Sequence, residues 1–338
     1  MPLDETETRS TPAPIQSLSV IVPAYNEQEV LPEFYRRLCE VFAGLDMKCE
    51  VIFVNDGSTD RTLEIISGLY RCDARVSLVD LSRNFGKEIA LAAGLDHADG
   101  DAVIVIDADL QDPPELIPEL VSHWRAGYDV VYAQRICRDG ESIAKKTTAY
   151  LFYRLLQKVC RVRVPEDTGD FRLLSRRAVE AMRQLREQHR FMKGLFAWIG
   201  FPQKPVPYRR DPRFAGKSKW NYWNLWNFAL EGITSFSCGP LKVATYIGLL
   251  TAFGAFGYGF YMMIRTLLFG NPVPGYPSLV VIILFLGGVQ LLSIGIIGEY
   301  LARMFDESKH RPLYLLKNYL SAPGSMHPNM GARRGQTH

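Results

Sequence analysis

Two stretches of this chain, Val243 to Ile264 and Val273 to Ile297, carry no charged residue over 22 and 25 positions. Each exceeds the roughly 20 residues that a helix needs to cross the hydrocarbon core of a bilayer. Inside lipid a segment must satisfy its own backbone amides and carbonyls, which a helix does. A two-helix hairpin is therefore predicted, turning at Gly270-Asn-Pro-Val-Pro-Gly-Tyr-Pro277. The alternative is a hairpin buried in a soluble core. The turn has no Lys or Arg, whereas Lys242, Arg303, Lys309, Arg311 and Lys317 flank the other ends. The positive-inside rule then places both termini in the cytoplasm. Arg265, near the outer end, can snorkel to the interface.

The first half reads differently. Apolar runs at 18–22, 49–54, 76–79, 102–106 and 130–133 alternate with helical patterns at 29–43, 60–69 and 86–98. That alternation predicts an α/β unit with a largely parallel sheet covered by helices. In open sheets of this kind, ligands bind outside the carboxyl ends of the strands. Three polar clusters fall at such ends: Pro23-Ala-Tyr-Asn-Glu27, Asn55-Asp-Gly-Ser-Thr-Asp60 and Asp107-Ala-Asp109. The second could simply cap a helix, since Ser58 and Asp60 are natural N-cap residues, but Asp56 is not needed for capping. In Val103-Ile-Val-Ile-Asp107-Ala-Asp109-Leu-Gln111-Asp112-Pro-Pro an apolar run ends in two carboxylates two residues apart. If the strand continues, residues i and i+2 share a face, so Asp107 and Asp109 would meet one polyanionic ligand. Hard oxygen ligands suit Mg2+ or Mn2+, which keep waters and bind substrate phosphates. A strand closing in a capped turn, with Pro113 opening the next helix, is the plainer reading. There is no GxGxxG after the first strand and no GxxxxGK[ST], which argues against a dinucleotide enzyme or a P-loop NTPase.

Charge is close to balanced, with 39 Lys and Arg against 36 Asp and Glu, so nothing overall demands nucleic acid. Basic residues nevertheless dominate from Arg135 to Lys219, including Lys145-Lys146, Arg176-Arg177 and Arg209-Arg210. That favours an anionic ligand or a membrane surface, against an ordinary solvated basic face. The six cysteines form no CxxC and read as reduced cytosolic thiols. Residues 1–16 are polar, without an apolar signal segment, and are expected to be a disordered tail. Between the halves, Tyr222, Trp223, Trp226, Leu230 and Ile233 recur at spacings of three and four. This stripe predicts an amphipathic helix lying in the headgroup layer; a core helix is the alternative.

Five strings taken in order resemble glycosyltransferase family 2: Val22-Pro-Ala-Tyr-Asn-Glu27, Val54-Asn-Asp-Gly-Ser-Thr-Asp60, Asp107-Ala-Asp-Leu-Gln-Asp-Pro-Pro114, Thr168-Gly-Asp-Phe-Arg172 and Arg213-Phe-Ala-Gly-Lys-Ser-Lys-Trp220. More narrowly, residues 17–305 are similar to polyprenyl-phosphate glycosyltransferases, such as dolichol-phosphate mannose synthase and the bactoprenol glucosyltransferases. The resemblance implies a GT-A fold, a Rossmann-like mixed sheet, over residues 17–219. It also implies an interfacial helix at 220–239, a transmembrane hairpin at 240–304 and a cytoplasmic tail at 305–338. Pro23, Tyr25, Glu27, Val54 and Asp56 would line the nucleoside pocket. Asp107 and Ala108 would touch the nucleotide-sugar, and Asp109 with Gln111 would hold the divalent ion. Arg213 and Lys219 would close over the donor diphosphate, and Asp170 would take the catalytic-base position. Arg135 would face the acceptor phosphate, which Lys145 and Lys146 could also help to position. The implied partners are a nucleotide-sugar, a polyprenyl phosphate, the inner membrane and, by analogy, further copies of the chain in a homotetramer.

The implied reaction is metal-dependent, inverting transfer of a sugar, with glucose from UDP-glucose the first expectation, to undecaprenyl phosphate at the cytoplasmic face. A phosphate monoester has a second pKa of about 6, so the acceptor is mostly ionised at neutral pH. A strong base is less necessary than for a hydroxyl acceptor. Asp170 could therefore orient a substrate instead of removing a proton. A processive polysaccharide synthase would need more spans and a Gln-x-x-Arg-Trp motif, which this chain lacks. A non-catalytic membrane scaffold is disfavoured by the intact Asp107, Asp109, Gln111 and Asp170.

Overall fold

A computed structural model describes residues 17–136, 168–208, 239–269 and 275–323. They fall into two units, one formed by the described residues up to 208 together with 312–323, the other by 239–269 and 275–311. In the first unit, β1 (Ser17–Ala24), β2 (Lys48–Asn55), β3 (Val76–Leu81), β4 (Ala102–Val105) and β5 (Val130–Arg135) coincide with the five predicted strands. Helices α1 (Leu31–Ala43), α2 (Thr62–Cys72) and α3 (Lys87–His97) alternate with them, and a 3-10 turn (Pro114–Leu116) leads into α4 (Ile117–Arg125). Then follow β6 (Thr168–Ser175), α5 (Arg176–Gln184), α6 (Met192–Trp198) and β7 (Gln203–Tyr208). A last strand, β8 (Leu316–Leu320), returns from beyond the second unit.

The sheet order is β7-β5-β6-β4-β1-β2-β3-β8. Strands β4, β1, β2 and β3 run parallel, β6 is antiparallel to both β4 and β5, and β8 is antiparallel to β3. The sheet is thus mixed. Its central strands are continuous apolar runs because helices cover both faces. Leu18, Val20 and Val22 point into a core shared with Phe34 and Leu38 of α1, Ile66 of α2 and Leu120 of α4. Ile21 points the other way, onto α3, where a Cβ on Gly94 would stand 2.2 Å from its Cγ2. Helix α3 is buried from Ile89 to Asp96, since it lies on the sheet while Leu313 packs on Ile89 and Ala92.

The second unit is a pair of long helices, α7 (Gly239–Phe269) and α8 (Tyr276–Ser308), with Pro277 in the first turn of α8. At about 1.5 Å per residue, either exceeds the roughly 30 Å hydrocarbon core. Leu250, Phe253, Phe256, Leu267, Phe269, Leu291 and Ile294 are exposed, and the span windows Ala244–Phe269 and Phe285–Ser308 have no buried share. That exposure argues against the soluble-core alternative and for an apolar environment around the helices.

Helix α7 is present from Gly239 and α8 continues to Ser308, past the expected hairpin end at 304 into the polar flank. The region 305–338 is not simply a tail: residues 316–320 pair with β3, whose edge would otherwise be open. The tail at 1–16, the interfacial stripe at 222–233 and most of the turn, 270–274, lie outside the described residues.

Candidate active site

Five elements deliver polar residues to one edge of the sheet. Four are the carboxyl ends of β1, β2, β3 and β4. The fifth is β6: because it runs antiparallel to β4 and β5, its first residues, Thr168-Gly-Asp170, lie beside the ends of those two strands. Thr168 is in register with Gln134, one residue before Arg135.

The loops after β1 and β2 are tied together. The Asn26 amide donates to Ser58 Oγ at 3.1 Å, the Glu27 amide to Thr62 Oγ1 at 2.8 Å, and the Thr59 amide to Asn26 Oδ1 at 2.8 Å. Asp60 accepts from the Thr62 amide at 3.0 Å from one residue before the N-cap position of α2, which is Arg61 and makes no side-chain cap. Asp56 is held otherwise: Oδ1 accepts the Phe85 amide at 2.7 Å and Oδ2 the Gly86 amide at 3.0 Å. Burial pushes its carboxyl up, against those two bonds. Asp56 thereby fixes the loop after β3, where Gly57 (φ 64°) lies so close that a Cβ would stand 2.5 Å from the Asn84 amide nitrogen. Tyr25 is exposed at this edge, with Pro23 and Glu27 partly so.

Asp107 and Asp109 do not share a strand face. β4 ends at Val105 and the aspartates sit in the turn that follows, where Leu110 takes φ 57° and the Gln111 amide donates to Asp109 Oδ1 at 3.2 Å. The turn separates their environments. Asp107 Oδ2 accepts from Lys87 Nζ at 2.7 Å, and the same ammonium donates to Asp170 Oδ2 at 2.5 Å. Asp109 and Gln111 are partly exposed. Val54 and Ala108, expected to line the donor pocket, are 0 and 2% exposed; their side chains serve the interior.

Charges crowd around Asp170, which is 8% exposed. Burial alone would raise its pKa, but Lys87 and then Lys193 outweigh burial and hold it well below the usual carboxylate range. Asp107 is pushed up to about 6 by burial, which with Asp170 and Asp112 prevails over Lys87. Lys87 itself is raised, because the two aspartates outweigh its desolvation. Burial lowers Lys193. Arg172 supports the strand from behind: it donates to the carbonyls of Gly169 (2.8 Å) and Asp170 (3.3 Å), and its guanidinium lies 3.9 Å over the Phe196 ring. Arg135 donates to Tyr208 Oη at 3.3 Å, and the Tyr208 hydroxyl in turn donates to Asp112. A Cβ on Gly169 would stand 3.1 Å from Arg135 Nη2, so glycine lets this cation lie along the β6 backbone beside Asp170.

Sequence reasoning missed Lys87, Glu88 and Lys193. A signal was present for the first two: Gly86-Lys87-Glu88 follows β3 at the same carboxyl edge, and a lysine opening a helix opposes the macrodipole. Lys145, Lys146, Arg213 and Lys219 lie outside the described residues.

Among the described residues no three His, Cys, Asp or Glu side chains form a metal cluster. Asp109 and Gln111 still fit a hard divalent ion of the kind that takes its remaining ligands from phosphate and water. Both offer oxygens, and both reach the surface of the turn.

Residues 19–183 match the family described as glycosyl transferase family 2, and residues 239–304 match the GtrB C-terminal hairpin. An uncharacterized glycosyltransferase of Synechocystis sp. is 54% identical over 89% of this chain and 95% of its own. A bactoprenol glucosyl transferase of Shigella phage SfV is 53% identical over 89% of this chain and 98% of its own. Among solved structures, a mannosyltransferase of Pyrobaculum calidifontis in complex with GDP-Man and Mn2+ is 19% identical, with a TM-score of 0.43 over 87% of this chain and 75% of that one.

Proposed function

The chain belongs to glycosyltransferase family 2, with the GtrB hairpin appended, and on that premise we propose that it transfers glucose from UDP-glucose to undecaprenyl phosphate with inversion at the anomeric carbon. It is a glycosyltransferase of GT-A fold. The observation that carries the finer reading is the meeting of Asp107, Asp170 and Arg135 with the Asp109–Gln111 turn at one sheet edge, in a chain that also holds two lipid-compatible helices.

In this reading the loops after β1 and β2 bind the nucleoside through Pro23, Tyr25, Glu27 and Asp56. The backbone of Val54 and Ala108, whose side chains are enclosed, and Asp107 complete the donor's surroundings. Asp109 and Gln111 would hold Mg2+ or Mn2+, which would supply positive charge against the diphosphate. Arg213 and Lys219 close over the same diphosphate and stabilise its developing charge. Arg135, with Lys145 and Lys146, receives the acceptor phosphate beside Asp170. A phosphate oxygen forms the bond to the anomeric carbon as the bond to the diphosphate breaks, and the electron pair leaves with the diphosphate.

In the same reading the hairpin anchors the chain in the inner membrane, with the catalytic unit and both termini on the cytoplasmic side. The absence of Lys and Arg from the connecting turn supports that orientation. Assembly as a homotetramer is part of the proposal.

The test is transfer of labelled glucose to undecaprenyl phosphate by the full chain in lipid nanodiscs, with magnesium or with chelator. The expected result is lipid labelling that chelator abolishes. Labelling from a different donor would correct the sugar alone. No labelling from any UDP- or GDP-sugar by a folded chain would overturn the reading.

A further inference from the structure

We propose that Lys87 is a positioning residue for the transfer: its ammonium clasps one oxygen of Asp170 to Asp107, so that the other oxygen of Asp170 faces the substrates. The inference rests on the function proposed above. Lys87 Nζ lies 2.7 Å from Asp107 Oδ2 and 2.5 Å from Asp170 Oδ2. Asp170 Oδ1 is buried and has no hydrogen-bond partner among the described residues. A buried carboxylate oxygen left unpaired is costly, so the arrangement suits a ligand that brings the missing O–H. Two groups can bring it: a hydroxyl of the donor sugar, or the proton of a monoprotonated acceptor phosphate.

The local structure is organised around this lysine. Lys87 opens α3, where its charge opposes the helix dipole. Such a broken local rule points to function when the fold compensates for it, and here two carboxylates do. The residues just before it are held by Asp56 through the Phe85 and Gly86 amides. Those just after it are held by Leu313, which packs on Ile89. Its own side chain is 42% exposed, so the lysine end of the clasp is open to solvent while the Asp170 end is enclosed.

The clasp makes a prediction that simple structural support does not: Lys87 acts on the reaction through Asp170. Lys87→Met is expected to lower kcat about 100-fold, in the range of a mispositioned acid–base group, while the KM for UDP-glucose stays within about twofold. Lys87→Arg, which keeps the charge, is expected to recover much of that loss. The double variant Lys87→Met/Asp170→Asn should be no slower than the slower single variant, because the two residues work as one unit. Donors lacking single hydroxyls separate the two sources of the O–H. If one deoxy donor is insensitive to Lys87→Met, that hydroxyl meets Oδ1; if all remain sensitive, the acceptor phosphate does.

Wild-type kcat in Lys87→Met, or a double variant slowed by the product of the single effects, would overturn the proposal. Should Lys87→Met not fold, Lys87→Gln takes its place. Failure of the wild-type chain to transfer any sugar would fail the proposed function instead. The clasp is then read by thermal unfolding of the wild type, Lys87→Met, Asp170→Asn and the double variant, where additive Tm shifts would overturn it and non-additive shifts would support it.

Discussion

Glu88 accepts the Met192 amide at 3.1 Å while its charge faces Asp170, Lys87 and Lys193. Burial first, and the Asp170 charge second, lift its carboxyl to about 7 from an ordinary 4.5. A native pKa above the unfolded one means that the native state keeps a proton the unfolded chain has lost. The contribution is therefore complete below pH 4.5 and disappears as pH rises through about 7. Glu88→Gln is expected to flatten the dependence of Tm on pH across that window, measured by thermal unfolding in nanodiscs; parallel curves would reject the assignment. Asp109 allows a second test at this scale. Asp109→Ala should remove the magnesium dependence of UDP-glucose binding in calorimetry, and equal chelator sensitivity in both proteins would take Asp109 out of the ion's shell. The motif that made Asp109 conspicuous said nothing of Lys87. Acidic residues clustered in sequence are visible as a string, whereas a lysine 83 positions from its partner Asp170 is visible only in the fold.

The elements repeat the contrast. β1 to β5 were legible because each is an apolar run long enough to be buried on both faces. β6 was not read as a strand. It is buried throughout yet contains Asp170 and Arg172, and no periodicity rule expects two charges in an interior strand. Their tolerance comes from partners elsewhere, Lys87 for Asp170 and the Phe196 ring for Arg172. The turn after β4 likewise escaped the i, i+2 rule, since β4 ends at Val105 and both Asp107 and Asp109 already lie beyond the strand. A prediction belongs to the β2–α2 loop. Gly57 combines φ 64° with a Cβ position 2.6 Å from the Arg83 carbonyl carbon, so Gly57→Ala must strain its own backbone and displace the loop that leads to Lys87. A loss of at least about 2 kcal/mol is expected, read from urea unfolding in mild detergent. An unchanged midpoint would mean that the two loops are not held together.

At the scale of the whole molecule, the chain leaves the sheet, forms the helical hairpin and comes back to close the β3 edge with β8. The returning segment also binds α3 and β3: the Tyr314 hydroxyl donates to Asp96 Oδ2 of α3 at 2.9 Å, and the Ala322 amide to Ser77 Oγ of β3 at 2.9 Å. Truncation after Arg311 is therefore expected to speed hydrogen exchange in β3 and α3 and to lower activity, while the hairpin still partitions into membranes. Unchanged exchange in α3 would show that the return strand is dispensable. The sequence by itself determined the two spans, the alternating strands and helices, and the edge where acidic residues gather. Each of these follows from hydrophobicity and turn chemistry within a short window. Only the tertiary structure decided that β6 enters antiparallel, that β8 completes the sheet and that Lys87 joins Asp107 to Asp170. The free energy of such pairings depends on where two distant segments meet, which no local pattern encodes.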